Sequence, residues 1–106
     1  MIELRNYVDS RGRSPFERWL ERLDTDAAAR IVMGLSRLAL GNTSRVKSLG
    51  GGLQEMKFDF GPGYRVYFGY EGKAIVILLA GGAKRRQDDD IARALDYWND
   101  YRARRG

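Results

Sequence analysis

Three cations in the middle of the chain have the type and spacing to handle a phosphate. They are Lys57 in LQEMKFDF, Arg65 in GYRVYFGY and Lys84 in AGGAKRRQ. Crowding like charges costs stability, so a folded protein that keeps them together commonly does so for a ligand. The 106 residues contain neither histidine nor cysteine. The commonest general base, the commonest zinc ligand and thiolate chemistry are therefore excluded. What remains is electrostatic: lysine and arginine donors aimed at the charge that develops on a reacting phosphoryl group. RNA brings its own nucleophile, the ribose 2′-hydroxyl, so such a cluster supports RNA cleavage without imidazole or metal. A lysine crowded by other cations can also pass a proton. The competing reading pairs the same cations with Glu55, Asp59 and the Asp88-Asp89-Asp90 run as a solvated face.

The elements that must position these residues are strands. Leu53 to Phe60 alternates, with Gln54, Met56, Phe58 and Phe60 on one face and Leu53, Glu55, Lys57 and Asp59 on the other. After Gly61-Pro62-Gly63, Tyr64, Val66, Phe68 and Tyr70 alternate with Arg65 and Tyr67. A turn at Glu71-Gly72-Lys73 leads to Ala74–Ala80, which is apolar throughout and suits a central strand covered on both faces. The pattern predicts an antiparallel meander. A symmetric turn at Gly61–Gly63 would pair Phe60 with Tyr64 and Phe58 with Val66. It would place Lys57 and Arg65 on one face, with Lys84 leaving the third strand at the edge where Arg65 begins the second.

Around the meander, Ile2–Val8 alternates as an edge strand, followed by the loop Asp9–Arg13, whose two arginines read first as solvated. Ser14-Pro15-Phe16-Glu17 is a helix start, with Ser14 as cap, Pro15 at the first helical position and Glu17 completing a capping box. Phe16, Trp19, Leu20 and Leu23 follow at helical spacing. A second helix, capped by Asp24 or Thr25, runs to about Leu40, stopped by Gly41-Asn42; it buries Ala28, Ile31, Leu35, Leu38 and Ala39. The short connection implies an α-hairpin. Arg45–Leu49 is basic and extended, and leads into Gly50-Gly51-Gly52, which no GK[ST] helix follows, so it is not a phosphate loop. The last helix begins at Gln87-Asp88-Asp89-Asp90 and buries Ile91, Ala94, Leu95 and Trp98. Its aspartates suit the helix dipole better than a metal, because consecutive side chains diverge. The order predicts one α+β domain over residues 1–106: a small, mostly antiparallel β-sheet with an N-terminal α-hairpin and a C-terminal helix.

The net charge of +5, carried mostly by arginine, points to nucleic acid or an acidic partner. No run reaches the ~20 apolar residues of a membrane span, and no signal-peptide pattern opens the chain. A cytoplasmic protein with no membrane contact is the expectation.

The segments SPFERWLERL, KSLGGGLQEMKFDFGPGYRVYF and ILLAGGAKRRQDDDIARALDYW resemble the RelE/HigB-like toxins of type II toxin–antitoxin systems, within them the addiction module killer protein branch. The resemblance covers nearly the whole chain and is most specific at GPGYRVYF and LLxGGxKxxQxxDI. It implies a RelE-like fold and a cytoplasmic toxin that cleaves mRNA, commonly on the translating ribosome, with no cofactor or metal. It also implies a cognate helix-turn-helix antitoxin (HigA-like), whose complex with the toxin binds operator DNA and represses its own operon. By resemblance Arg65 is the phosphate-stabilising arginine. Lys57 is the strand position used for charge stabilisation or proton transfer, and Lys84 is the basic residue that closes the site. Asp90 falls near a position that is aromatic or acidic in relatives. Arg45, Lys47, Arg85 and Arg86 are the expected RNA contacts. Glu55 and Asp59 depart from the lysine-dense site of the ribosome-dependent members. The same RelE/ParE superfamily includes ParE-like gyrase poisons, and an inactive toxin kept as an antitoxin-bound corepressor is a third reading.

Overall fold

The computed structural model describes residues 1–105. The chain forms β1 (Glu3–Asn6), α1 (Pro15–Glu21), α2 (Thr25–Ala39), β2 (Val46–Gly50), β3 (Leu53–Lys57), β4 (Tyr64–Glu71), β5 (Ile75–Ala83), a 3₁₀ turn (Lys84–Arg86) and α3 (Gln87–Arg105). The five strands make one mixed sheet in the order β1-β5-β4-β3-β2. The meander β3-β4-β5 is antiparallel, as is β2 on β3, whereas β1 joins β5 in parallel. This is an α+β fold, and β1 is an edge strand as its alternation predicts. Among the described residues no helix is long and apolar enough to cross a membrane.

Two apolar layers flank the sheet. On one face Phe16 and Trp19 of α1 and Ile31, Leu35 and Leu38 of α2 pack with Met56, Phe58, Val66, Phe68, Val76 and Leu78. On the other, Ala94 and Trp98 of α3 pack with Leu53, Tyr67, Ile77, Leu79 and Ala80. The unbroken apolar run of β5 is thus covered on both sides. Ser14 accepts from the Glu17 amide at 3.1 Å, and Asp24 caps α2 through the Ala27 amide at 2.8 Å. The capping box is only half formed, because the Glu17 carboxylate turns instead to the side-chain amide of Asn6.

Three local details depart from simple periodicity. The β3–β4 hairpin pairs Met56 with Val66 and Lys57 with Arg65, and the Phe58 amide donates to the Tyr64 carbonyl at 2.9 Å. The symmetric register, Phe58 with Val66, is therefore wrong by two residues. Phe60 has left the strand for the turn, where its carbonyl accepts from the Gly63 amide at 3.1 Å, and Gly61 and Gly63 take positive φ. Pro62 has no N–H for a ladder. In α3 the buried stripe continues through Trp98 to Tyr101, while Leu95 stays 37% exposed at its margin.

The third departure is a bulge in β5. Tyr67 pairs with Ala80 but Phe68 pairs with Leu78, leaving Leu79 as the extra residue. Leu79 and Ala80 consequently both face α3, and the facing of everything after them is inverted. Gly81 then lies under Trp19 of α1, where an added Cβ would come within 2.1 Å of the indole. Gly82 lies under Asp90 of α3, where the corresponding approach is 1.8 Å to the carboxylate. Overpacking of this kind costs about 1–3 kcal/mol, so Gly81→Ala is expected to lose about that much in urea unfolding. Combining it with Trp19→Leu should return part of the loss, a non-additivity expected only of residues in contact.

Candidate phosphate-handling site

The register builds the site directly. Lys57 of β3 lies opposite Arg65 of β4, which lies opposite Gly82 of β5. One step along, Lys47 of β2, Glu55, Tyr67 and Ala80 form a parallel row on the same face. Lys84 follows β5, and its amide donates to the Gly63 carbonyl at 2.9 Å, while Arg65 Nη1 donates to the same carbonyl at 2.8 Å. One backbone oxygen thus ties the arginine to the lysine-bearing turn. Lys57, Arg65 and Lys84 are brought to one end of the sheet, where α3 begins.

Arg65 does not project into solvent. Its side chain is only 6% exposed and faces Glu55, 5% exposed, with Nε and Oε1 3.8 Å apart. Glu55 also accepts from Gln87 Nε2 at 2.7 Å, which anchors the first turn of α3 to β3. Glu55, expected as one of two carboxylates diluting a basic surface, is instead the buried counter-ion of its central arginine. Among the described residues Arg65 Nε and Tyr67 Oη are both buried without a hydrogen-bond partner. Burial, then the charges of Glu55 and Asp90, hold the Tyr67 phenol far above its ordinary pKa, so it is a neutral O–H.

Asp90 turns inward against Gly82, whereas Asp88 and Asp89 are exposed. Its carboxyl is pushed up by burial, opposed by Arg93 and Arg86, the former 3.4 Å away. The polar residues Gln87 and Asp90 head the same stripe that becomes Ile91, Ala94 and Trp98 lower down, so α3 is lined for the site at one end and for the core along the rest.

The outer cations divide into two groups. Lys57 lies 3.9 Å from Asp59, and Arg45 is hydrogen-bonded to the same carboxylate, which it holds below the usual range. Lys47, Lys84, Arg85 and Arg86 are exposed and form no ion pair among the described residues. The pairing of cations with Glu55 and Asp59 is therefore real, while the basic turn at Lys84–Arg86 remains available to an anion. The sequence points to Lys57, Arg65, Lys84 and Asp90, leaves the part of Gln87 open and gives none to Tyr67. The signal for Tyr67 was parity: residues 55 and 57, and 65 and 67, must share a face.

No known family profile matches the chain. An uncharacterized protein of Haemophilus influenzae (strain Rd) is 42% identical to it over 80 residues, which cover 74% of this chain and 81% of the relative. The two proteins belong to one family. Wherever a stretch of that length begins, it takes in β2, β3 and β4, and with them the positions of Lys57 and Arg65.

Removing one partner of a buried ion pair typically costs about 3–5 kcal/mol, so Glu55→Ala is expected to lose about that much in urea unfolding. Asp90 supplies a pH test. Its folded pKa lies above the unfolded one, so its neutral form favours folding, and stability falls as pH rises through the folded pKa. Asp90→Asn, which mimics that form, should raise the melting temperature at neutral pH. The gain should vanish below about pH 4, where the unfolded carboxyl is protonated too.

Proposed function

We propose that this protein is the toxin of a type II toxin–antitoxin system, a RelE/HigB-like, metal-independent mRNA endoribonuclease acting in the cytoplasm. The observation that carries the reading is the meeting of Lys57, Arg65 and Lys84 at one end of the sheet, next to a basic turn that forms no ion pair among the described residues. In this reading the phosphate of the scissile bond lies against Lys57 and Lys84, with Arg85 and Arg86 on the strand beyond it. The 2′-oxygen attacks the adjacent phosphorus and the P–O5′ bond breaks. The proton lost by the 2′-hydroxyl is regained by the leaving 5′-oxygen, and the products are a 2′,3′-cyclic phosphate and a 5′-hydroxyl. The two ammonium groups stabilise the extra charge of the phosphorane. Arg65, through the Nε that faces Glu55 without a hydrogen bond among the described residues, is the donor that a small movement away from Glu55 would bring to the same oxygens. A helix-turn-helix antitoxin of HigA-like type neutralises the toxin and carries it to operator DNA, and the mRNA is met on the ribosome.

The burial of Arg65 against Glu55 favours a second reading, because a neutralised arginine contributes less to phosphate binding. Here the chain is a ParE-like toxin that poisons DNA gyrase without cutting RNA, or an inactive toxin retained as a corepressor.

Sequencing transcript 5′ ends after induction in a bacterial host, with and without active ribosomes, separates these. Ribosome-dependent new ends are the expected result; DNA damage with intact message would identify the gyrase poison. Lys57 and Lys84 are the clean probes, since both are exposed and their loss leaves the buried pair untouched. Lys57→Ala and Lys84→Ala should each slow cleavage by about 10²-fold, the usual cost of one transition-state donor. Full toxicity of both folded variants would sink the site assignment.

A further inference from the structure

A second concentration of charge lies away from Lys57 and Lys84. The Asp9–Arg13 loop, α1 and α3 enclose a groove of about 370 Å³ lined by Arg11, Arg13, Arg18, Arg22 and Arg93. Its floor includes Trp19, Gly81 and Tyr97. The floor is open because β1 pairs with β5 only as far as Asn6 opposite Leu78, while β5 continues to Ala83. Among the described residues the strand therefore has no sheet neighbour on that side beyond the bulge.

The arginines are presented rather than merely exposed. The Asp9 carboxylate accepts from the backbone amides of Arg11 at 2.9 Å and Arg13 at 3.0 Å, and the Asp9 amide donates to the Arg13 carbonyl at 2.8 Å. These bonds close the loop into a fixed turn and engage the one carboxylate that lines the groove among the described residues. Arg18 and Arg22, the C-cap residue of α1, stand four residues apart on one helical face, an unfavourable like-charge spacing. Among the described residues Arg11, Arg13, Arg18 and Arg22 form no ion pair, and Arg93 reaches Asp90. The aromatic residues are engaged elsewhere: Trp19 packs on Phe16 and Tyr64, and Tyr97 stacks on Tyr7. The groove thus offers guanidinium donors and little base-stacking surface, which suits a phosphate backbone read without regard to sequence.

We propose that this groove is a second anion-binding surface that holds the phosphodiester backbone of RNA. The choice of RNA as the polyanion rests on the nuclease reading; the groove itself does not. The groove anchors a strand independently of the Lys57–Lys84 cluster and adds affinity without specificity.

The test is the binding of a labelled single-stranded 2′-O-methyl RNA, followed by fluorescence anisotropy over a range of salt. This probe lacks the attacking hydroxyl, so failure of the cleavage reading leaves the measurement intact. Replacing Arg11, Arg13, Arg18 and Arg22 together by Gln should weaken binding at least tenfold. It should also lower the log–log salt slope by about 2–3, at ~0.7 for each phosphate no longer neutralised. Replacing the same four by Lys should keep most of the slope, and Lys57→Ala with Lys84→Ala should leave the groove's share unchanged. Unaltered affinity and slope in the folded Gln variant would overturn the proposal. So would tighter binding of poly-glutamate or duplex DNA than of RNA through the same four arginines, which would assign the groove to an acidic polypeptide or to DNA.

Discussion

Between Tyr67 and Phe68 the pairing of β4 with β5 skips Leu79, and the layers above and below the sheet take their positions from that step. A strand with strict period two would turn Gly81 toward α3 and Gly82 toward α1. The extra residue reverses this, so the bare backbone of Gly81 receives the Trp19 ring and that of Gly82 receives the Asp90 carboxylate. Helices reach β5 from both faces at a distance no side chain would permit. The same step decides the direction in which the strand delivers Lys84.

A second constraint is electrostatic and sits beneath the basic surface. Burying Arg65 and Glu55 together removes two charges from water, a penalty that mutual attraction repays only with good geometry and further hydrogen bonds. Here the supporting bonds come from the Gly63 carbonyl and from Gln87. They join the β3–β4 turn, β3 and the first turn of α3 into one polar joint. The charge that reaches solvent is therefore carried by lysines and arginines standing around the joint, not by the arginine at its centre.

Much of this was legible in the residues because it depends on local rules. Ser14-Pro15 and Asp24 announce the helix starts, Gly41 the stop, and the alternation of Leu53–Lys57 and Tyr64–Tyr70 gives both strands and the face shared by Lys57 and Arg65. The β3–β4 register was not legible, since it depends on whether Phe60 extends a strand or closes a turn, and either suits its apolar ring. Nor was the bulge, because seven consecutive apolar residues carry no alternation that could betray one extra. The burial of Glu55 was not legible for a related reason. Parity places it on the correct face, but only the arrival of α3 decides which residues on that face are buried. The arginine groove draws on α1, α3 and the loop between β1 and α1, three places in the sequence that no motif connects.

The parallel pairing of β1 with β5 sets an order of events for the growing polypeptide. Glu3 finds its partner at Ile75, so β1 must wait for about seventy more residues. At ordinary synthesis rates of about 5–20 residues per second, that interval is roughly 4–14 seconds. Throughout it Leu4 lacks its partner Val76, and Glu55 lacks Gln87. A truncated product ending before β5 would have neither a closed sheet edge nor the polar joint. Assembly of the basic surface thus waits for β5 and the first turn of α3.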